Sequence, residues 1–359
     1  MASKTIKKGI RLDLSKHDRN NLDDYIASLK NGIQAENEGY LTEHSNAYAD
    51  KAHALYQGFL KQAIHVGGGQ KINPLVIVPQ GKLGQPPFGV LLYEAPRPDM
   101  RYSEMAFLLK KYAIRYAYSA TLFCIHPPQT ARPKRLLAGF APDYGKSYNL
   151  ANTLASNHQV RGLSLQNFAP LQQNQPEVTA ISALMAGQSH TGESASERVF
   201  KETASSYRML HLAMHAFVND SIPQYSGLVF SPYAVEGEDG FLHAYEIYNM
   251  KLNADLVVLS ACQTGAGKHR NGEGIMSLAH AFRYAGCPNV VTSLWQADDE
   301  STAQLMQYFY KHLGKGVPKD EALRLAKLEY LSAGNQSNPF FWAGFVLRGE
   351  EKPGTQPFI

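Results

Sequence analysis

Seven short apolar runs separated by helical patterns constrain this 359-residue chain more than any single residue does. They are PLVIVP (74–79), AIRYAYS (113–119), RLLAGF (135–140), RMLHLAM (208–214), GLVF (227–230), ADLVVLS (254–260) and NVVTSLW (289–295). Several are apolar at consecutive rather than alternate positions, which suits strands covered by helices on both faces. Between the runs, apolar residues recur at the three- and four-residue spacing of a helix face. Examples are Val178, Ile181, Leu184 and Met185, then Ile275, Leu278, Ala279 and Phe282, then Leu305, Met306, Phe309 and Leu313. The alternation predicts an α/β sandwich with a mainly parallel sheet.

Four segments fall outside that rhythm. Residues 1–72 read as an N-terminal helical appendage, with Leu55, Tyr56, Phe59, Leu60, Ala63 and Ile64 marking an amphipathic helix that stops at Gly67-Gly68-Gly69. Residues 141–176 are rich in Asn, Gln, Ser, Pro and Gly, and are long enough for a functional or mobile loop. Residues 187–196 form a shorter loop, and residues 351–359 read as a flexible tail after a main domain spanning 73–350.

Composition excludes several partner classes. A net charge of +4, with no basic run longer than Lys7-Lys8 or Lys110-Lys111, gives no electrostatic footprint for nucleic acid. The three cysteines, Cys124, Cys262 and Cys287, are too few and too scattered for a disulfide framework or a Cys-x-x-Cys metal pair, which fits a reducing cytoplasm. The N-terminus has no apolar core of a signal peptide and no stretch reaches 18 apolar residues, so no membrane partner is expected.

In open α/β sheets, reacting groups collect beyond the carboxyl ends of the strands. Here RMLHLAM leads to His215 and ADLVVLS leads to Cys262, 47 residues apart. A free cysteine is more often a small buried hydrophobe. Cys262, however, is followed by the polar, glycine-rich turn Gln263-Thr264-Gly265-Ala266-Gly267, whose backbone amides favour a thiolate. A phosphate loop with Gly267-Lys268 in register puts Cys262 where glycine is required and His269 where Ser or Thr is required. The dinucleotide fingerprint fails at Arg270, so no cofactor is implied. His211 and His215 do not form a zinc pair, because Leu212 replaces the required Glu and the two lie roughly 13 Å apart along a strand. No metal is implied, and His211 reads as a satisfied strand histidine. Asp298, Asp299 and Glu300 precede the Leu305 helix and serve either as caps or as carboxylates for a cationic substrate.

Five stretches in order give the chain its resemblance: LVIVPQGKLGQPPFGVLL, ERVFKETASSYRMLHLAMHAFVND, ADLVVLSACQTGAG, GEGIMSLAHAFRYAGCPNVVTSLWQADDESTAQLMQYFYKHL and NPFFWAGFVLRG. Over residues 74–349 it resembles the CHAT domain, a caspase-like cysteine peptidase module related to separase. The resemblance implies a caspase-like three-layer sandwich, with His215 as base and Cys262 as nucleophile. It implies an oxyanion hole from the backbone N–H groups of Cys262 and Ala216. Asp299, with Asp298 beside it, would bind a basic residue before the scissile bond, so cleavage follows Arg or Lys. The family usually has glycine where this chain has Ala216, and a positive φ there would cost alanine roughly 1 kcal/mol or more.

The resemblance further implies a cytoplasmic role in bacterial defence or cell death, a protein substrate encoded nearby, and a regulatory or sensor partner. Lys146 and Arg161 in the long loop are the expected sites of self-cleavage. The alternative reading is a non-catalytic caspase-like scaffold whose 141–176 loop binds a partner.

Overall fold

The computed structural model describes residues 26, 33, 43–66, 74–79, 81–84, 86–98, 100–124, 133–144, 168–219, 221–231, 238–260, 273–295, 298–334 and 336–349. Strands β1 (Leu75–Ile77), β2 (Ile114–Tyr116), β3 (Arg135–Ala141), β4 (Gln188–Thr191), β5 (Tyr207–Leu212), β9 (Leu256–Leu259), β10 (Asn289–Ser293) and β11 (Phe345–Gly349) form an eight-stranded sheet. Its order is β1-β2-β11-β10-β9-β5-β3-β4, and the one antiparallel pairing joins β10 to β11. A second sheet holds β6 (Ala216–Phe217), β7 (Gly227–Val229) and β8 (Phe241–His243), all antiparallel.

The helices are α1 (Glu43–Leu55), α2 (Lys61–Val66), α3 (Ala120–Cys124), α4 (Asn174–Leu184), α5 (Glu197–Thr203), α6 (Ala244–Asn249), α7 (Glu273–Tyr284), α8 (Asp299–Leu313), α9 (Lys319–Ser332) and α10 (Pro339–Trp342). None of the described helices is long and apolar enough to cross a membrane.

The central strands are apolar at successive positions because each face meets a different core. Met209, Leu256, Val258 and Val291 face the layer of α4, α8 and α9, together with Ile181, Leu305, Phe309 and Trp342. Leu210, Leu212, Val257, Leu259 and Val290 face the opposite layer, with Phe200, Leu278 and Phe282 of α5 and α7 and residues of the small sheet. The observed architecture is thus the three-layer α/β sandwich with a mainly parallel sheet. Helix α4 lies close over β3 because Gly139 has no side chain: a Cβ there would meet Val178 Cγ1 at 2.7 Å.

Four features differ from the sequence reading. GLVF belongs to the small antiparallel sheet, not to the main one. The segment 187–196, read as a loop, supplies edge strand β4, whose sequence QSHT is mostly solvent-facing and buries only His190, so no apolar signal marks it. Leu184, placed on the apolar stripe of α4, is 49% exposed, while its neighbour Met185 is buried in the core. Helix α1 passes through a π turn at Tyr56–Leu60 into α2. From this stretch, Tyr48, Ala52, Leu55, Phe59 and Leu60 join the same core as Leu108, Phe309 and Trp342. What reads as an appendage is packed into the main body from residue 48 onward.

Candidate active site

Strands β5 and β9 are parallel neighbours, with Leu212 opposite Leu259. His215 and Cys262 each follow that pair by three residues, so the two chain segments leave the sheet side by side at its carboxyl edge. Cys262 itself lies outside the described residues, as do Lys146 and Arg161 of the long loop. Ser260, the last described residue before it, is buried and donates its hydroxyl to Glu177 Oε1 at 2.8 Å.

His215 is held from several directions. Its Nε2 lies 2.7 Å from the Ala169 carbonyl oxygen. A carbonyl only accepts, so Nε2 carries the proton, and in the neutral ring Nδ1 keeps the lone pair. The imidazole also packs against Tyr144 (centroids 4.6 Å apart) and Phe168 (5.3 Å). Burial lowers the His215 pKa; the Ala169 carbonyl and the Asp299 carboxylate oppose this, and the net position stays below that of an ordinary imidazole. Burial thus favours the neutral ring at physiological pH.

The backbone at His215 is equally specific. Val229 N–H donates to His215 O at 2.9 Å. The reciprocal ladder bond is replaced by the Tyr144 hydroxyl, which accepts from His215 N–H at 3.1 Å and donates to Val229 O at 2.6 Å. Antiparallel pairs alternate between bonded and unbonded, so the next pair, Ala216 and Leu228, is of the unbonded kind. The Ala216 N–H thus points away from β7, toward the edge of β6 that no described strand pairs with. Ala186 is the sole described non-glycine residue with positive φ, so the strain anticipated at Ala216 does not arise.

The acidic pair splits in role. Asp298 is the N-cap of α8, its Oδ2 accepting from Ser301 N–H at 2.9 Å, so of the two roles open to it in the sequence its carboxylate takes the capping one. Asp299, in the first turn of α8, accepts at Oδ2 from the N–H groups of Gln172 (3.0 Å) and Gln173 (2.8 Å). Its other carboxylate oxygen has no N–H donor among the described residues.

Besides the Tyr144 hydroxyl, two groups escape sequence reasoning. The Ala169 carbonyl is a backbone atom in a segment without periodicity, and no side-chain pattern can signal it. Glu177 reads as a polar position in α4, yet it is buried and binds both Ser260 and His211 Nε2 (2.8 Å), while His211 Nδ1 meets the Tyr310 hydroxyl at 3.2 Å. His211 is therefore the satisfied strand histidine its pattern suggests, with both partners on distant segments.

The other acidic and thiol groups offer less. Among the described residues, Glu197, Glu238 and Glu246 form the one cluster with metal-ligand spacing. Its centre is occupied by Lys201 Nζ, at 2.6, 2.7 and 2.8 Å from the three carboxylates. Cys287 is fully buried, and burial pushes its thiol up to about 12, the behaviour of a core residue.

Residues 49–350 match the family model of the CHAT domain. Tetratricopeptide repeat protein 28 of Mus musculus and of Homo sapiens is 31% identical over 116 residues, which is 32% of this chain and 5% of either relative. The chain thus spans a small fraction of the length of these curated relatives. Among solved structures, the Arg-specific cysteine proteinase gingipain R is similar with a TM-score of 0.47 and 9% identity, over 96% of this chain and 76% of that one. The separase–securin complex of Saccharomyces cerevisiae is similar with a TM-score of 0.39 and 12% identity, over 68% of this chain and 14% of that one. With the family model spanning most of its length and both of its core layers, the chain belongs to the CHAT domain family.

Proposed function

We propose that the protein is a cysteine endopeptidase that uses Cys262 as nucleophile and His215 as base, and cuts a protein substrate after Arg or Lys. The observation that carries this reading is the fixed imidazole of His215. Its Nε2–H is committed to Ala169, which leaves Nδ1 as the acceptor, at the end of the strand beside the one leading to Cys262. A neutral base with a selected tautomer is what proton removal from a thiol requires.

In the first step, His215 Nδ1 takes the thiol proton and the Cys262 sulfur attacks the scissile carbonyl carbon. The charge that develops on the carbonyl oxygen is stabilised by backbone N–H groups, those of Ala216 and Cys262, which contribute roughly 3 kcal/mol each in comparable sites. The orientation of Ala216 N–H away from β7 supports this assignment. The tetrahedral intermediate collapses as His215 returns the proton to the leaving amine. Water, deprotonated by the same nitrogen, then releases the acyl group and regenerates the thiol.

Asp299 supplies the preference for a basic side chain. One carboxylate oxygen is occupied by the two backbone amides, and the other accepts the guanidinium or ammonium of the residue before the cut. The family resemblance adds a cytoplasmic setting in a bacterial defence or cell-death pathway, with the substrate encoded nearby and a separate regulatory partner.

Incubation with peptides varied at the residue before the cut tests the proposal. Wild type should cleave Arg and Lys peptides, and Cys262→Ala and His215→Ala should not. Cleavage by Cys262→Ala would overturn the mechanism. If iodoacetamide labels Cys262 no faster than Cys124 and Cys287, the non-catalytic scaffold becomes the better reading.

A further inference from the structure

The peptidase reading gives Asp299 the task of recognising a basic side chain. The same carboxylate also has a structural attachment. Residues 168–174 form a strap that crosses from the long loop into α4, and it is tied down along its length. Phe168 is buried against the His215 ring, and the Ala169 carbonyl receives Nε2–H of His215. Three residues on, Gln172 and Gln173 donate their N–H groups to Asp299 Oδ2. Asn174 closes the strap, with its side-chain amide on the carbonyls of Pro142 (2.8 Å) and Ala213 (3.3 Å). Gln172 is exposed and Gln173 half-buried, so apolar packing does little to hold this stretch apart from Phe168 and the half-buried Leu171.

We infer that Asp299 is a positioning residue for His215, a role that rests on the peptidase reading of the site. By anchoring the amides of Gln172 and Gln173, it fixes the Ala169 carbonyl and thereby decides which imidazole nitrogen carries the proton. A neutral imidazole has two tautomers, and its ring can flip about the Cβ–Cγ bond. The carbonyl at Nε2 selects one of these states, and it does so only while it is held in place. A substrate cation that docks on Asp299 therefore engages the carboxylate that also aligns the base. Recognition before the cut and readiness of the nucleophile become mechanically joined.

The test uses iodoacetamide, a small neutral reagent that reads thiolate formation at Cys262 without occupying a cation subsite. In Asp299→Ala the strap loses its anchor, and Cys262 alkylation at pH 7 should slow by about tenfold, toward the rate of His215→Ala. Asp299→Asn keeps a side-chain oxygen for both amides, so its alkylation rate should stay within about twofold of wild type while cleavage of Arg and Lys peptides is lost. Labelling of buried Cys287 monitors the fold in each variant. If Asp299→Ala exposes Cys287, Asp299→Thr takes its place, since its shorter side chain also falls short of the strap amides.

Asp299→Ala alkylating as fast as wild type, with His215→Ala slow, would overturn the positioning role while leaving the dyad intact. Asp299→Asn as slow as Asp299→Ala would also overturn it, because charge rather than anchoring would then carry the effect. Wild type and His215→Ala alkylating equally would remove the dyad itself, and with it the basis of the inference.

Discussion

Removing one oxygen atom, by Tyr144→Phe, separates the hydroxyl of Tyr144 from its ring. The ring stays, and with it the packing against His215 at 4.6 Å. What is lost is the acceptor of His215 N–H and the donor to Val229 O, two backbone groups in a buried ladder. Leaving a buried backbone group without its partner costs about 1–3 kcal/mol, so the two together predict a loss of roughly 2–6 kcal/mol. Urea denaturation, with the slope checked to be unchanged, measures it. Relaxation is the competing outcome: β6 closes onto β7 and His215 N–H finds Val229 O directly. That movement carries Ala216 N–H along, so kcat on a basic peptide should fall while KM holds. A variant within about 0.5 kcal/mol of wild type and with wild-type kcat would refute the reasoning, since neither ladder nor donor would then depend on the hydroxyl.

Glu177→Ala withdraws a buried carboxylate that accepts from Ser260 and bonds His211. Breaking such a pair from one side is expected to cost about 3–5 kcal/mol in a urea titration, and a loss below about 1 kcal/mol would show that the network rearranges freely. The acid limb of kcat/KM should lie below the ordinary imidazole value of 6.5, because burial lowers the His215 pKa and keeps the base neutral at lower pH. The sign for stability is the same. Between the lowered native value and 6.5 the unfolded chain binds more protons, so stability falls as pH drops through that window. A pH–rate profile whose acid limb sits above about 7 would contradict the assignment of His215 as a buried, neutral base.

Much of the architecture follows from pattern alone. The consecutive apolar residues of RMLHLAM and ADLVVLS require cover on both faces, and β5 and β9 have it from two separate cores. Periodicity in Leu305, Met306, Phe309 and Leu313 places α8, and the polar pair before it marks its start at Asp298. Strand β4 escapes because an edge strand with two exposed and one half-buried position carries no apolar period. GLVF falls in a different sheet from the one its pattern suggests, because composition says that a strand exists, not which strand it pairs with. The N-terminal helix reads as detachable because its apolar face declares a partner without naming it; that partner is the core around Trp342.

The site divides along the same line. A histidine and a cysteine at strand ends are legible, because side-chain type and the end of an apolar run are both local properties of the chain. The sequence therefore determined the candidate base and nucleophile, the sandwich that carries them, and the acidic pair at the head of α8. Only the tertiary structure decided that a backbone carbonyl at Ala169 sets the tautomer of His215, and that the hydroxyl of Tyr144 completes its ladder. It also decided that Asp298 caps a helix while Asp299 grips a strap 126 residues away. Each of these is a hydrogen bond to backbone or between distant segments. Every residue carries the same backbone groups, so which ones meet is fixed only when the sheet and its helices have packed.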